Sequence, residues 1–423
     1  MRIVATAHCL TIVVLVAALS GCANEQSLYA GTSPPTVNCR ASGQADFGRC
    51  GRLCDSGFWA SATAEDVQAV LDGGASVNRT NDDGYSPLHL AARCARDPGV
   101  FSVLLDAGAD PNRKGPKSVR PLHFAAAYAD RVSVGQLIDS GADLEAQTRR
   151  DWTPLHYAAN LDSLDGARVL LGRGANVDAA DVYQYTPLDL ALRVQASSAT
   201  VAVLIEADAP LWTTRDSGWS PLHIAASKDA RPEVIELLVG AGASVNALNS
   251  RGETPLDVAF RYAASVWTID ALVDASGGID AKDPRGRSML HRAVETPHPR
   301  LVRRLLERGA DPNARDQDGR SPLHLISTRG RHVANSDQPE LSIISYLVQH
   351  GAMLELPDRN GWTALHWAAH EGGRRVIASL VEEGADVSAR TNSGETPCDL
   401  AAALEDDLWR EDALTALACD GHG

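Results

Sequence analysis

A short segment of apolar and small residues recurs along the chain at a nearly constant interval. In its first copy, residues 86–92, a hydroxyl residue is followed by proline, leucine, histidine, leucine and two alanines. The steps between successive proline slots are 34, 33, 33, 34, 34, 34, 33, 42 and 33 residues. The ten slots are Pro87, Pro121, Pro154, Pro187, Pro221, Pro255, Met289, Pro322, Ala364 and Pro397. A fixed period of this length predicts a stack of repeated structural units.

Each copy carries the signals of two short helices. The Ser or Thr before the proline slot is a good helix N-cap, and proline suits the first helical position, where an N–H is not needed. Leu88 and its equivalents then face the core, and the paired alanines let neighbouring helices approach closely. A second apolar stretch, such as residues 100–105, ends near a glycine such as Gly108, which suits a left-handed helix end.

These copies resemble the ankyrin repeat, with its T-P-L-H-x-A-A and G-A-D-x-N signatures. Residues 153–159 and 108–112 carry the two signatures here, and the resemblance covers residues 54–419. It implies an all-α repeat solenoid of helix-turn-helix units with β-turn fingers. We expect ten signature repeats, preceded by a capping half-repeat over residues 58–78. The 42-residue step predicts an extra loop at residues 327–335.

The amino terminus reads as an export signal. An apolar run over residues 10–19 is too short to span a membrane and leads into Leu-Ser-Gly-Cys at residues 19–22. This end resembles a bacterial lipobox, which implies cleavage before Cys22 and lipid attachment to it. Ala23 after the cysteine favours the outer membrane, facing the periplasm. We therefore expect a signal peptide at 1–21 and a flexible tether at 22–53; an ordinary signal with an incidental cysteine is the alternative.

The remaining cysteines favour disulfides, since an exported chain with an even number of them can pair them. They are Cys39, Cys50, Cys54, Cys94, Cys398 and Cys419. The pairing of the first four stays open, and a zinc site there lacks a matching second pair of ligands. Cys398 and Cys419 fall at ends of antiparallel helices that should meet, which predicts a disulfide, with two free thiols as the alternative.

Charge and motifs argue for a binding protein and against an enzyme. Fifty-four acidic and 39 basic residues give a net charge of −15, which disfavours nucleic acid as a partner. The chain lacks the phosphate loop, H-E-x-x-H and G-x-S-x-G motifs. We expect no cofactor and no metal. The seven signature histidines stand one per layer, too far apart to share a metal ion. The best metal candidate, and the basis of an alternative metal-dependent enzyme, is His366, His370 and Glu371.

A candidate partner surface lies at the residue just before each helix cap, here called the junction residue. In ankyrin arrays this position lies on the concave, partner-facing side. The ten junction residues are Tyr85, Val119, Trp152, Tyr185, Trp219, Glu253, Arg287, Arg320, Trp362 and Glu395. Those predicted to bind the partner are Tyr85, Trp152, Tyr185, Trp219, Arg287, Arg320 and Trp362. Exposed Trp and Tyr often dominate interface energetics, although a large residue here could instead only shield the turn.

Together these features predict a membrane-tethered protein–protein interaction module in the bacterial envelope. One version is an immunity protein that neutralises a periplasmic toxin, because a rigid acidic surface suits a basic toxin. The alternative is a scaffold for an envelope enzyme such as a catalase. The sequence leaves the identity of the partner protein open.

Overall fold

A computed structural model describes residues 48–419, apart from 213–216, 263, 284, 296–298, 329–338 and 372. The predicted signal peptide, Cys22, Cys39, nearly all of the tether and most of the extra loop lie outside the described residues. The described chain divides into two compact units, one up to Val182 and one from Tyr183, called the first and the second unit below.

The first unit contains the capping half-repeat and three helix pairs. Three short 3-10 helices occupy Gly48–Cys54, Phe58–Ala60 and Pro116–Ser118. The α-helices are α1 (Ala64–Asp72), α2 (Pro87–Cys94), α3 (Gly99–Asp106), α4 (Pro121–Tyr128), α5 (Arg131–Asp139), α6 (Pro154–Asn160) and α7 (Leu164–Gly172).

The second unit continues with seven more pairs. They are α8 (Pro187–Arg193), α9 (Ser198–Glu206), α10 (Pro221–Ser227), α11 (Pro232–Gly240), α12 (Pro255–Arg261), α13 (Val266–Ala275), α14 (Met289–Glu295), α15 (Pro299–Glu307), α16 (Pro322–Ser327), α17 (Pro339–Gln349), α18 (Ala364–Glu371), α19 (Arg374–Glu382), α20 (Pro397–Ala402) and α21 (Asp407–Ala416). Within the described residues the secondary structure is helical, apart from one isolated antiparallel bridge between Lys282 and Ser288. The predicted all-α repeat fold is confirmed.

The helix starts follow from local hydrogen bonding, as the signature predicts. In α8 the Asp189 carboxylate accepts the Thr186 N–H at 3.2 Å, and the Thr186 hydroxyl accepts the Asp189 N–H at 3.3 Å. This reciprocal capping box satisfies two amides that the helix itself leaves unpaired. In most signatures the third helical residue is histidine and not aspartate. Its ring nitrogen Nδ1 then accepts the backbone N–H of the N-cap residue in place of the carboxylate.

Even-numbered helices are the inner ones and odd-numbered helices the outer ones of each pair. Inner helices stack in the series α2–α4–α6, α8–α10–α12 and α14–α16–α18–α20. Outer helices stack in the series α1–α3–α5–α7, α9–α11–α13 and α15–α17–α19–α21. The signature leucine, Leu88 in the first repeat, is fully buried between layers, as is Leu104 of the outer helix. Leu, Ala and Val supply most of this core, so each repeat is stabilised mainly by its immediate neighbours.

Ion pairs link the layers at the boundary between α12–α13 and α14–α15. Arg292 of α14 pairs with Asp257 of α12. On the outer side, Arg304 lies 2.5 Å and Arg308 3.2 Å from the Asp270 carboxylate of α13. Charged hydrogen bonds therefore contribute to the cohesion of a boundary inside the second unit.

The last repeat is closed by a covalent link. Cys398 of α20 and Cys419, which follows α21, form a disulfide with a Cα–Cα distance of 6.0 Å. The pairing joins the start of the inner helix to the chain after the outer one, so it links the two helices of the last described repeat. Cys54 and Cys94 in the first unit also form disulfides.

Candidate functional site

Signature histidines tie six of the junction residues to the preceding repeat. The His89 Nε2 atom lies 3.1 Å from the Val119 carbonyl, and its Nδ1 accepts the Ser86 backbone N–H at 3.3 Å. Because Nδ1 is an acceptor, Nε2 carries the proton and donates it to the carbonyl. The same link joins His123 to Trp152, His223 to Glu253, His291 to Arg320, His324 to Trp362 and His366 to Glu395. Each of these junction residues thus has its backbone held in place from the layer before it.

Burial keeps these rings neutral. Burial lowers the pKa of His89 and of His123 to about 4, although hydrogen bonds to backbone carbonyls act in the opposite direction. Burial likewise lowers the pKa of His366. His89, His123 and His366 are therefore uncharged structural links at neutral pH.

His366 does not belong to a metal site with His370 and Glu371. Both of its ring nitrogens are engaged, Nδ1 by the Thr363 N–H at 3.1 Å and Nε2 by the Glu395 carbonyl at 3.3 Å. No group of three or more potential metal ligands occurs among the described residues. The metal-dependent alternative thus finds no support at the residues on which it rested.

The expectation of exposed aromatic junction residues is wrong for three of them. Tyr85, Trp152 and Tyr185 are only 6%, 4% and 7% exposed. The Trp152 indole N–H donates to Asp181 at 2.9 Å, and its ring meets Tyr157 edge-on at 5.6 Å. These rings shield the turn and fill the space between layers, which is the alternative interpretation of a large residue at this position.

Tyr85 and Tyr185 are covered in similar ways. The Tyr85 ring packs 5.6 Å from Phe124 of the next repeat. The Tyr185 hydroxyl accepts a hydrogen bond from Arg193 at 3.0 Å, and the same guanidinium lies 4.6 Å above the ring. Side chains supplied by the inner helices therefore decide how much of each junction ring reaches solvent.

Four junction residues of the second unit each contact the side chain eight positions further along the chain. Arg193, Arg261, Glu295 and His370 occupy that place, about two turns into the inner helix. The pairs in contact are Tyr185 with Arg193, Glu253 with Arg261, Arg287 with Glu295, and Trp362 with His370. We call the surface formed by the junction residues of the second unit and the inner-helix side chains beside them the inner face. Trp219, Arg287, Arg320 and Trp362 are each partly exposed on it.

The two arginine junction residues border a charged cleft on the inner face. Arg287 donates to Asp283 at 2.8 Å and to Glu295 at 2.6 Å, while Arg320 pairs with Asp316 and Asp318. The cleft has a volume of about 330 Å³ and is also lined by Arg285 and Leu325. Since each guanidinium is already neutralised by carboxylates, the cleft presents alternating charge and not a single sign.

The sequence analysis missed one residue of the inner face, Trp367. It follows His366 in the signature, at a slot where most copies carry an apolar core residue. Here the side chain is partly exposed, and its ring lies 4.8 Å from that of Trp362, which also meets His370 at 5.3 Å. The signal was present: residues 362 and 367 place two tryptophans five positions apart in one repeat.

The described helices are all too short or too polar to serve as a membrane span. The predicted lipid anchor, Cys22, lies outside the described residues.

Comparisons with known proteins agree with this architecture. The family model for ankyrin repeats in three copies matches residues 122–214, 290–391 and 332–421. A model for many copies of the repeat matches residues 204–259, and the single-repeat model matches residues 83–116. Together these matches extend over the repeats of both units.

Individual relatives match short stretches. NF-kappa-B inhibitor alpha of Sus scrofa is 38% identical over 104 residues, 24% of this chain and 31% of that protein. A putative ankyrin repeat protein of Rickettsia felis is 33% identical over 96 residues, 22% of this chain and 40% of that protein. Calmodulin-binding transcription activator 3 of Arabidopsis thaliana is 37% identical over 115 residues, 26% of this chain and 10% of that protein. The chain thus spans less than half the length of each of these relatives.

Among solved structures, the ankyrin repeat domain of Bcl-3 aligns with a TM-score of 0.41 and 30% identity, over 49% of this chain and 91% of that domain. Ankyrin arrays typically serve as interaction scaffolds and not as enzymes. The recurring signature, the paired helices and the family matches lead to one conclusion: the chain belongs to the ankyrin repeat family and is a protein–protein interaction module.

Proposed function

We propose that this chain is a lipid-anchored binding protein of a bacterial envelope, and that it holds a basic protein against the inner face of its second unit. The observation that carries the proposal is the row of partly exposed Trp219, Arg287, Arg320 and Trp362 side chains on one face. Contacts with neighbouring side chains hold all four in place before any partner arrives: Trp219 meets Tyr262, Arg287 pairs with Glu295, Arg320 pairs with Asp316, and Trp362 packs against His370. A preorganised aromatic surface loses little conformational entropy on binding.

Charge supports a basic partner. The net charge of −15 attracts cationic proteins and speeds their association. The lipobox-like residues 19–22 support anchoring in the envelope, and Ala23 after the cysteine supports the periplasmic side of the outer membrane. Within this proposal the role is that of an immunity protein, which binds a basic toxin delivered into the periplasm and blocks its action.

Affinity capture from an envelope extract tests the proposal. The full chain should retain one basic protein, and Trp219→Ala with Trp362→Ala should weaken its binding by at least about thirty-fold, as loss of two hot-spot aromatics does. Trp267→Ala is the matched control, because Trp267 is 71% exposed on the outer helix α13, away from the inner face. Equal losses in both variants, or no protein retained by the wild type, would contradict the proposal.

A second measurement separates immunity from a scaffold role. The captured protein is produced in the periplasm of cells with and without this chain. Growth arrest only in cells that lack the chain supports immunity. A captured enzyme that harms neither strain, but loses its envelope location without the chain, supports the scaffold role instead.

A further inference from the structure

An open depression lies on the inner face between the fingers that precede α18 and α20. It has a volume of about 540 Å³, and six side chains line it: Asn360, Trp362, Trp367, Asn392, Ser393 and Glu395. Trp362 and Trp367 form one side, with their ring centroids 4.8 Å apart and the planes tilted by 56°. The exposed Glu395 carboxylate stands on the next finger and accepts a hydrogen bond from the Ser393 hydroxyl at 2.7 Å. An aromatic side and a carboxylate thus face one space.

The aromatic side is fixed before a ligand arrives. The Trp367 indole N–H donates to Asp358 at 3.1 Å, and the other oxygen of this carboxylate accepts the Trp362 backbone N–H at 3.0 Å. The Trp362 carbonyl is held by His324 from the preceding layer at 3.0 Å. One buried carboxylate therefore orients both tryptophans.

The two fingers that border the depression are also locked together. The Asn392 backbone N–H donates to the Asn360 carbonyl at 3.1 Å, and the Asn392 side chain donates to the Arg359 carbonyl at 3.1 Å. Gly361 has a φ of 79°, and a Cβ atom there would lie 2.5 Å from the Asn392 side-chain oxygen. The distance across the depression is thus set by close backbone contact.

The walls are suited to a cation. The face of an indole ring is electron-rich and attracts ammonium and guanidinium groups, and a nearby carboxylate adds a direct charge interaction. The structure contains an example of this preference, because the Arg320 guanidinium lies 5.8 Å from the centre of the Trp367 ring. The chain as a whole is strongly acidic, which reinforces the same selectivity.

We propose that this depression binds the side chain of an arginine or lysine presented by the protein partner. The cation lies between the tryptophan pair on one side and the Glu395 carboxylate on the other. The inference rests on the proposed function and names the chemical group that the inner face recognises. A protein is the source, and not a small free cation, because the charged cleft around Arg287 and Arg320 lies on the same face. A polypeptide can contact both places at once.

The probe is a hexa-arginine peptide, titrated into the ¹⁵N-labelled full chain in mild detergent and followed by NMR of the indole N–H groups. Trp362→Phe and Trp367→Phe assign the two signals of the depression. We expect these signals to shift in a saturable way while those of Trp212 and Trp267, which are 70% and 71% exposed elsewhere, stay in place. A hexa-citrulline peptide, which keeps the shape but not the charge, should give no saturable shift.

Substitution of the carboxylate gives the decisive comparison. Glu395→Gln should weaken binding of the hexa-arginine peptide by roughly three- to thirty-fold. It should leave the melting temperature unchanged, since the Glu395 side chain is exposed. Glu411→Gln, on the exposed side of α21, makes the same change in net charge and should have little effect. Equal effects of the two variants, equal binding of the citrulline peptide, or tighter binding of tetramethylammonium than of the peptide would each overturn the inference.

The envelope partner distinguishes failure of this inference from failure of the proposed function. If Glu395→Gln captures the partner as well as the wild type does, the partner's cation does not enter this depression, and the inference fails while the binding role stands. If the wild type retains no protein, the binding role itself fails.

Discussion

At the level of single residues, the third residue of each inner helix, which is His or Asp, shows how one link between layers can be made in two ways. Histidine donates from Nε2 to the next junction carbonyl, as His123 does to Trp152 at 3.0 Å. Asp257 at the same position is a carboxylate and cannot donate a hydrogen bond. Instead, Arg292 of the next repeat forms an ion pair with Asp257 and donates a hydrogen bond to the Thr254 hydroxyl. The direction of the link is reversed, and the layers remain connected.

The buried histidines predict a loss of stability in mild acid. His123 has a pKa of about 4 in the folded protein against an ordinary value near 6.5, because burial disfavours the charged ring. Between pH 4 and pH 6.5 the unfolded chain binds a proton at His123, whereas the folded chain does not. Stability is therefore complete above pH 6.5 and falls as the pH drops toward 4.

His123→Asn tests this linkage, because asparagine can still accept the Arg120 N–H without titrating, while its shorter side chain gives up the bond to the Trp152 carbonyl. From pH 7 to pH 5 the wild type should lose about 2 kcal/mol more unfolding free energy than the variant. Urea unfolding at both pH values measures the difference. Identical losses in the two proteins would show that His123 binds a proton in the folded protein as readily as in the unfolded chain.

The buried junction rings give the second residue-scale prediction. Trp152→Ala should cost about 3–5 kcal/mol of unfolding free energy, because it leaves a cavity between layers and removes the hydrogen bond to Asp181. Trp219→Ala, at a partly exposed ring, should cost about 1–2 kcal/mol. Thermal and urea unfolding compare the two. Stability unaffected by Trp152→Ala would restore the view that this side chain serves binding.

At the level of helices, the boundary between α13 and α15 is a place where ion pairs join neighbouring repeats. Asp270 lies at the centre, with Arg304 and Arg308 both within 3.2 Å of its carboxylate. Its side chain is only partly accessible to solvent, so these charges are screened less than fully exposed pairs. Because repeat arrays are held together by neighbouring interfaces, the strength of this boundary affects the cooperativity of the second unit.

Asp270→Asn should loosen this boundary, at a cost of about 1–2 kcal/mol, since it leaves two arginines without their shared acid. Amide hydrogen exchange should become faster in α13 and α15 and stay unchanged in α3 and α5. The control is Asp165→Asn, which removes an exposed ion pair with Arg131 and should change stability by less than about 0.5 kcal/mol. Uniform acceleration of exchange throughout the chain would contradict a local role.

At the level of the whole molecule, the proposed function depends on two separate parts of the chain, the acidic repeat array and the proposed lipid anchor. The described residues provide the array, and the proposed lipid anchor rests on the lipobox-like residues 19–22. The anchor and the inner face are separate in the chain, so each can be removed without the other.

Cys22→Ala should therefore release the chain from the membrane fraction into the soluble periplasmic fraction, with folding and partner capture unchanged. Labelled palmitate should be incorporated into the wild type and not into the variant. Membrane retention of the unlipidated variant, or absence of label in the wild type, would exclude the lipoprotein interpretation.

The sequence by itself determined the repeat, its boundaries and the start of nearly every inner helix. These features depend on interactions within a few residues: a hydroxyl N-cap, proline at the first helical position and a capping side chain three residues later. The same pattern predicted that Cys398 and Cys419 would come together, because they lie within one antiparallel helix pair. Because these local interactions recur in ten copies, they specify nearly all of the helix pairs of the fold.

Only the tertiary structure decided which junction residues reach the surface. Trp152 and Trp362 occupy the same signature position, yet Trp152 is buried while Trp362 is partly exposed. What covers Trp152 is Tyr157 of the inner helix together with Asp181 of the next finger, 29 residues away. Burial depends on the sizes of side chains in adjacent layers, which a repeat signature does not specify. The depression between Trp362, Trp367 and Glu395 exists for the same reason.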